Sequence, residues 1–233
     1  MTLPRLAVIG DGKMGRAVAS LAGEHGFDVG APLGEAQVLP HGITKALLDG
    51  ADVAIEFTVP QAAAANIRAC VDAGCPVVCG TTGWDDARPS VEAYVRSKGG
   101  ALLWSPNFSV GVHLFTRIVE DAARMVAESH SGFDAHLVET HHGGKVDAPS
   151  GTARSIAERA ARALGKPLPI TSVRVGHVPG THEVVFDGAF EQIRLEHVAR
   201  DRRVFAAGAL TAARWLIGKR GVFTLDQMLG ISE

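Results

Sequence analysis

Leu6, Ala7, Val8 and Ile9 form a short apolar run, and Gly10, Gly12 and Gly15 follow at once, ahead of an apolar-periodic stretch over 16–22. A strand that enters a glycine-rich turn and leaves it as a helix has few folds open to it. The first glycine permits the tight turn, the second lets backbone approach a pyrophosphate, and the third lets the helix pack on the strand. Free N–H groups at the helix start then favour an anion. Glycine-rich turns occur wherever a strand meets a helix, so this spacing reads as a dinucleotide fingerprint only in its strand–turn–helix context.

The following pattern supplies a parallel sheet for that turn. Strand-like runs at 53–57, 77–79 and 101–104, with a shorter one at 27–31, alternate with helical stretches that include 61–73 and 91–97. Pro60 stands at a plausible first helical position and Gly74 closes that helix. Alternation of this kind predicts a doubly wound α/β sheet of Rossmann type. Past Phe108 the rhythm changes. A long helix over 113–128 precedes a strand at 135–140 and a helix at 153–164, and extended runs follow at 171–177, 183–186 and 191–198. Pro179 and Gly180 mark a turn between the first two of these. Strands after helices predict a second, α+β domain around a mostly antiparallel sheet, and 207–217 reads as a last helix.

The densest chemistry lies between Glu139 and Thr152. Within fourteen residues the chain places His141, His142, Lys145 and Asp147, then Pro149, Ser150, Gly151 and Thr152 at the start of the 153–164 helix. Imidazole is the side chain whose ordinary pKa is nearest neutrality, so it can give or take a proton at working pH. Lys145 offers a fixed cation for a carboxylate, or an acid where partial burial lowers its pKa. A serine N-cap with free N–H groups behind it is a ready anion site. Acid, cation and anion site together describe a pocket for a carboxylated substrate that must be protonated. The same residues could serve as a polar surface loop leading into a capped helix; the amine and the helix start favour the pocket.

Composition excludes several classes. At 233 residues the chain can bury a real core in one or two domains. Its formal net charge of -2 comes from interspersed acids and bases, which offers nothing to nucleic acid. No apolar run approaches the roughly 20 residues of a membrane span, and the immediate entry into a strand leaves no room for a signal peptide. Cys70, Cys75 and Cys79 match no standard metal spacing and read as reduced core thiols. A cytoplasmic enzyme without a metal is expected.

Taken together, the two motifs resemble the 4-hydroxy-tetrahydrodipicolinate reductase (dihydrodipicolinate reductase) family. The run Glu139, His141, His142, Lys145, Asp147, Ala148, Pro149, Ser150, Gly151, Thr152 is similar to its signature. Glu56, Phe57, Thr58 and Pro60, and Gly80, Thr81, Thr82 and Gly83, resemble its strand ends beside the cofactor. Ser105, Pro106, Asn107 and Phe108 resemble the segment joining its domains, and His197, Ala199, Arg202, Phe205 and Gly208 its return toward the C-terminus. The resemblance implies a dinucleotide domain over 1–108, rejoined by 207–233, and a substrate and oligomerisation domain over 109–206 that builds a homotetramer. It implies reduction of a cyclic imine dicarboxylate, with loss of water, in lysine biosynthesis through diaminopimelate. His141 and Lys145 become the proton-handling pair, and His142, Gly151 and Thr152 hold the substrate. Gly10, Gly12, Lys13, Met14, Gly15, Phe57, Thr58, Gly80, Thr81, Thr82, Ser105, Pro106, Asn107, Phe108, Arg202 and Phe205 fall to NADH or NADPH. Glu139 and Asp147 orient the loop. On the residues alone, Phe108 equally suits a core and Arg202 a solvated face.

One departure bears on the cofactor. An acidic residue about 20 positions past the glycines anchors the adenosine ribose, often with a basic neighbour for a 2′-phosphate. Here Gly34 stands at the acidic place and Glu35 at the basic one, or, with a one-residue slip, Glu35 is the ribose ligand; in either case no Arg or Lys stands there. The stretch leans toward NADH. Another two-domain amino-acid dehydrogenase, or a nucleotide-sensing module without catalysis, would also carry the glycine turn; neither calls for the paired histidines and lysine.

Overall fold

The computed structural model describes residues 2–39 and 41–231, which divide into two compact units: Met1–Ser109 with Arg203–Glu233, and Val110–Arg202. In the first unit β1 (Arg5–Ile9) leads through the glycine turn into α1 (Lys13–Ala22), and β2 is Asp28–Val29. Two short helices, α2 (Glu35–Val38) and α3 (Lys45–Leu48), precede β3 (Val53–Glu56), α4 (Pro60–Asp72), β4 (Val77–Cys79), α5 (Arg88–Ser97) and β5 (Ala101–Trp104). Pro60 does open α4, and Gly74 follows it with φ 78°.

Along β1, β3, β4 and β5 both faces of each strand are buried. Leu6, Val8, Val53, Ile55, Val78 and Leu103 pack with Val18 of α1 on one side. Ala7, Ile9, Ala54, Val77, Cys79 and Leu102 pack with Ile67 of α4 and Val91 of α5 on the other. Strands covered on both faces belong in a parallel sheet, and every pairing here is parallel. Each such Leu, Ile, Val or Phe side chain contributes about 1.5–3 kcal/mol relative to exposure.

The second unit holds α6 (Val110–Ser129), β6 (Asp134–His141), α7 (Gly151–Leu164), β7 (Ile170–Arg174), β8 (Gly180–Asp187) and β9 (Gln192–Ala199). Its sheet runs β7-β6-β8-β9, with β6 and β7 parallel and the other two pairs antiparallel. Its inward face carries Ala135, Leu137, Val184 and Phe186 against Phe115 and Val119 of α6 and Ile156 and Ala160 of α7. The strand expected at 171–177 stops at Arg174, so His177 lies in the following loop.

The chain then returns to the first unit as α8 (Arg203–Leu216), β10 (Gly221–Phe223) and α9 (Leu225–Met228). β10 was not foreseen. It joins the sheet's edge beside β5, giving the order β10-β5-β4-β3-β1-β2. Three residues are too few to show a period. Among the described residues no helix is long and apolar enough to cross a membrane.

Gly208 of α8 lies directly on the backbone of Phe108: a Cβ there would stand 1.7 Å from the Phe108 carbonyl oxygen. Gly208→Ala should therefore separate α8 from that backbone and destabilise the first unit by about 1–3 kcal/mol, the usual cost of overpacking. Thermal unfolding of the purified variant checks this; an unchanged melting temperature would show that the contact yields freely.

Candidate functional site

In the first unit, turns from four neighbouring parallel strands emerge at the same edge of the sheet. Gly10 to Gly15 follow β1, Phe57 and Thr58 follow β3, Gly80 to Thr82 follow β4, and Ser105 to Phe108 follow β5. Ligands of open parallel sheets bind beyond those carboxyl ends. Gly10 has φ 107° and a Cβ on it would strike the Phe57 carbonyl; a Cβ on Gly15 would lie 1.7 Å from the Gly10 oxygen. Gly12, by contrast, caps α1 with no side-chain hydrogen bond, and a Cβ there would meet nothing within 4 Å. An uncapped helix start with open space before it fits a pyrophosphate.

The remaining turns are tied to one another. Thr58 N–H donates to Thr81 Oγ1 at 2.8 Å, and the Trp84 and Trp104 indoles donate to the Thr81 carbonyl at 2.8 and 3.2 Å. Glu56, fully buried, accepts from Thr58, Asn66 and Cys79. Lys13 and Thr82 are exposed, and Met14 half-buried. Phe108 is a core residue, 2% exposed and edge-on to Phe57 at 6.1 Å, so its side chain packs rather than lining a groove. Leu33 bridges to Ile9, which brings Gly34 and Glu35 beside the glycine turn. A Cβ on Gly34 would lie 2.6 Å from an Asp11 carboxylate oxygen, so this corner carries two acidic groups.

The second unit's inward sheet face changes character along its strands. After Ala135 and Leu137, β6 turns Glu139 and His141 inward; after Phe186 and Val184, β8 turns His182 inward; after Leu195, β9 presents His197. Glu139 has no solvent exposure. Its carboxylate accepts from Arg174 Nη2 at 2.7 Å and from Ser150 N–H at 3.3 Å, and it contacts His141 Nδ1. Burial opposes ionisation of Glu139, but Arg174, a Ser172 hydrogen bond and His141 outweigh it and hold the carboxyl at about 2. For His141 the order is reversed. Burial pushes the imidazole below its ordinary value, Glu139 opposes this, and Lys145 and Arg174 add to it. Its Nε2 faces Gly180, where a Cβ would approach to 3.1 Å.

Ser150 caps α7 as expected, its hydroxyl accepting from Ala153 N–H at 3.1 Å, with Gly151 exposed and Thr152 half-buried at the helix start. Lys145 Nζ meets Asp147 at 2.7 Å, which draws the Asp147 carboxyl below its usual range. Arg174 also donates to the Asp147 carbonyl at 2.6 Å. His142 lines a cavity of about 360 Å³ with Gly144, Gly176, His177, Pro179 and Arg202. His141, only 8% exposed, does not line it. Arg202 lines the same cavity as His142, whereas Phe205, grouped with it in the sequence, belongs to the first unit.

Arg174, His177 and His182 were not singled out from the sequence, and His197 entered only through the family resemblance, without a role. The inward alternation of His182, Val184 and Phe186, and the same parity for His197 and Leu195, was a legible signal for two of them. Among the described residues one cluster, Glu139, His141 and His182, brings three metal-type donors within 4.8 Å of one another. Arg174 already neutralises its carboxylate, and a second cation there would face that guanidinium.

The chain matches the family models described as dihydrodipicolinate reductase, N-terminus, over residues 4–108, and C-terminus, over 111–229. It is 39% identical over 209 residues to a 4-hydroxy-tetrahydrodipicolinate reductase of Chromobacterium violaceum, covering 80% of this chain and 76% of that one. It is 34% identical to the enzyme of that name from Thiobacillus denitrificans, covering 97% and 98%. A dipicolinate-bound dihydrodipicolinate reductase from Paenisporosarcina sp. TG-14 shares the fold with TM-score 0.78 at 22% identity, over 96% of this chain and 98% of that one.

Glu139 binds its partners only as the anion, so its contribution to stability is complete above its ordinary pKa of 4.5 and is lost as pH falls toward 2. Glu139→Gln should lower stability by about 3 kcal/mol or more at neutral pH, because Arg174 is left without its anion. The variant should also lose less stability than the wild type between pH 4.5 and 2. Denaturant midpoints for both proteins across that window check it; parallel curves would assign the acid sensitivity to other carboxylates.

Proposed function

The chain belongs to the dihydrodipicolinate reductase family and is an NAD(P)H-dependent oxidoreductase; we propose that it reduces 4-hydroxy-tetrahydrodipicolinate to tetrahydrodipicolinate, with loss of water, in lysine biosynthesis through diaminopimelate. The observation that carries the reading is the gathering, at one end of the second unit's sheet, of a held imidazole, an amine, a capped helix start and a cationic cavity. A cyclic imine with two carboxylates calls for groups of those kinds beside a bound hydride donor.

When bound, NADH or NADPH supplies hydride to a ring carbon. The residues of this chain do the rest. Hydride addition builds negative charge on the ring nitrogen, and a positioned acid that neutralises it lowers the barrier. His141, fixed through Nδ1 by Glu139, presents Nε2 as that acid once protonated. A doubly anionic substrate nearby opposes the effect of burial and raises the proton affinity of His141. Lys145 is the second proton-handling group and Asp147 steadies its ammonium. His142 contacts one carboxylate, with His177 and Arg202 in the same cavity. Gly151 and Thr152 offer N–H and hydroxyl donors to the other.

The outward face of the second unit's sheet supports a homotetramer built there. Val173, Thr140, Thr181 and Val198 lie side by side across all four strands, with Val173 36% and Val198 52% exposed. Three buried cysteines without a disulfide suit the cytoplasm.

Oxidation of NADH or NADPH by the purified protein with freshly generated 4-hydroxy-tetrahydrodipicolinate tests the reading directly; no turnover with either cofactor would end it. Lys145→Ala should lose roughly 10²–10⁴-fold in kcat, the usual range for a proton-transfer group, while NADH affinity stays within about twofold. Thr152→Val should weaken competitive inhibition by a planar pyridine dicarboxylate by about 1–3 kcal/mol. Unchanged inhibition would remove Thr152 from the site.

Cofactor choice follows from the corner at Gly34. Asp11 and Glu35 place like charge where a 2′-phosphate would sit, and exposed repulsions of this kind are worth about 1 kcal/mol or less when screened. NADH should serve at least as well as NADPH, and Glu35→Arg should shift the balance toward NADPH by a few-fold. Steady-state kinetics with both cofactors decides it: a strong NADPH preference in the wild type would mean that Lys13 or Lys45 supplies the missing cation.

A further inference from the structure

Two imidazoles behind His141 have no part in the reaction outlined above. His182 on β8 stands opposite Glu139 in the β6–β8 ladder, and His197 on β9 stands opposite His182. The rings form a row, 5.5 Å from His141 to His182 and 6.4 Å from His182 to His197, with Phe115 of α6 5.9 Å beyond. His182 is 3% exposed, and neither of its ring nitrogens meets a hydrogen-bonding protein atom; Nδ1 of His197 is in the same position. A buried polar group without a partner destabilises a fold. An aliphatic side chain here, like Val184 two residues on, would simply have extended the core.

We propose that His182, backed by His197, is a proton relay that recharges the Glu139–His141 pair once in each catalytic cycle, when the next substrate is bound. The inference rests on His141 being the proton donor. When His141 has given its Nε2 proton to the substrate, a proton leaves one nitrogen of His182 for the bared Nε2 of His141, whose Nδ1 stays with Glu139. His182 takes a replacement on its other nitrogen from His197, which is half-buried and recovers its own from water. One N–H breaks and one forms at His182 and again at His197, so neither keeps a net charge, and the proton gained from water ends on His141. A nitrogen of His141, one of His182 and a Glu139 oxygen lie within 4.8 Å of one another, a gap that a ring rotation or one bridging water closes.

The surroundings suit that task. Burial pushes the His182 imidazole down to about 4, His141, His197 and Lys145 add to the effect, and Glu139 opposes it. His197 is lowered by burial as well. These are the charged and titratable groups that bear on His182 from β6, β9 and the loop of Lys145; the Phe115 ring of α6 packs on His197. A neutral imidazole has one N–H and one bare nitrogen, so it can accept on one side and donate on the other.

His182→Gln keeps a donor and an acceptor but cannot accept a proton. Its melting temperature should equal or exceed that of the wild type, and dicarboxylate inhibition should be unchanged. Its kcat should fall about tenfold or more, on the low side of acid–base effects, with a larger solvent deuterium isotope effect. Added imidazole should restore part of the kcat of His182→Ala, and His197→Gln should show a smaller loss of the same kind. Wild-type kcat and isotope effect in His182→Gln would overturn the proposal, as would a fall in kcat that merely tracks a lower melting temperature. Stoichiometric zinc binding that disappears in His182→Gln would overturn it too, by making the cluster a cation site. The underlying reading fails separately: His141→Gln with wild-type kcat would remove the donor itself, whatever His182 does.

Discussion

A carboxylate with no solvent exposure sits on the inward face of a four-stranded sheet, and the loop from His142 to Pro149 is built around it. Ionised and alone, Glu139 would be destabilising by several kcal/mol. It is tolerated because Arg174, the Ser150 N–H and His141 all turn to it. Those partners come from β7, from the start of α7 and from the end of β6. The loop from His142 to Pro149 therefore has both ends fixed on one side chain, and Arg174 adds a third attachment at the Asp147 carbonyl. A hydrophobic replacement of the whole cluster could be as stable. It would leave the loop without a defined shape.

The same carboxylate sets the electrostatics of His141. In the free protein burial outweighs Glu139 and keeps the imidazole below its ordinary pKa. The ring is then neutral, with its proton on the nitrogen that faces the carboxylate. On the proposed reading, a dicarboxylate arriving in the cavity of His142, His177 and Arg202 would shift that balance toward the imidazolium and so couple binding to protonation. An acid that becomes charged only beside its substrate avoids holding an isolated buried cation between turnovers.

Much of this was legible in the sequence, and the exceptions have a common cause. The glycine turn, the strand alternation and the serine-capped helix each depend on neighbours within a few residues, and the fold reproduces them. β10 escaped because three residues show no period. His177 escaped because a strand drawn through 177 placed it on a ladder, whereas the backbone leaves the ladder after Arg174 and delivers His177 to the cavity; Arg174 stays on the ladder and meets Glu139 only through the pairing of β6 with β7. His182 and His197 become neighbours of His141 only through the register of three strands, and no spacing along the chain records that register. For Phe108 the residues alone suited a core and a cofactor wall equally, and only its burial against Phe57 and Gly208 shows that its side chain packs in the core.

The second unit divides stability from chemistry along single strands. On β6, Ala135 and Leu137 feed the core and Glu139 and His141 feed the site; on β8, Phe186 and Val184 precede His182 in the same way. Side chains directly opposite in an antiparallel pair have Cβ atoms about 4.5–5.5 Å apart, and the ladder holds that separation without help from the rings. A loop could bring three imidazoles together, but it would need contacts among them to keep them there. The ladder leaves the ring nitrogens unengaged with one another, which suits a proton that must move. The apolar half of each strand supplies the packing that keeps the register, so Leu137 and Val184 position the site without touching it.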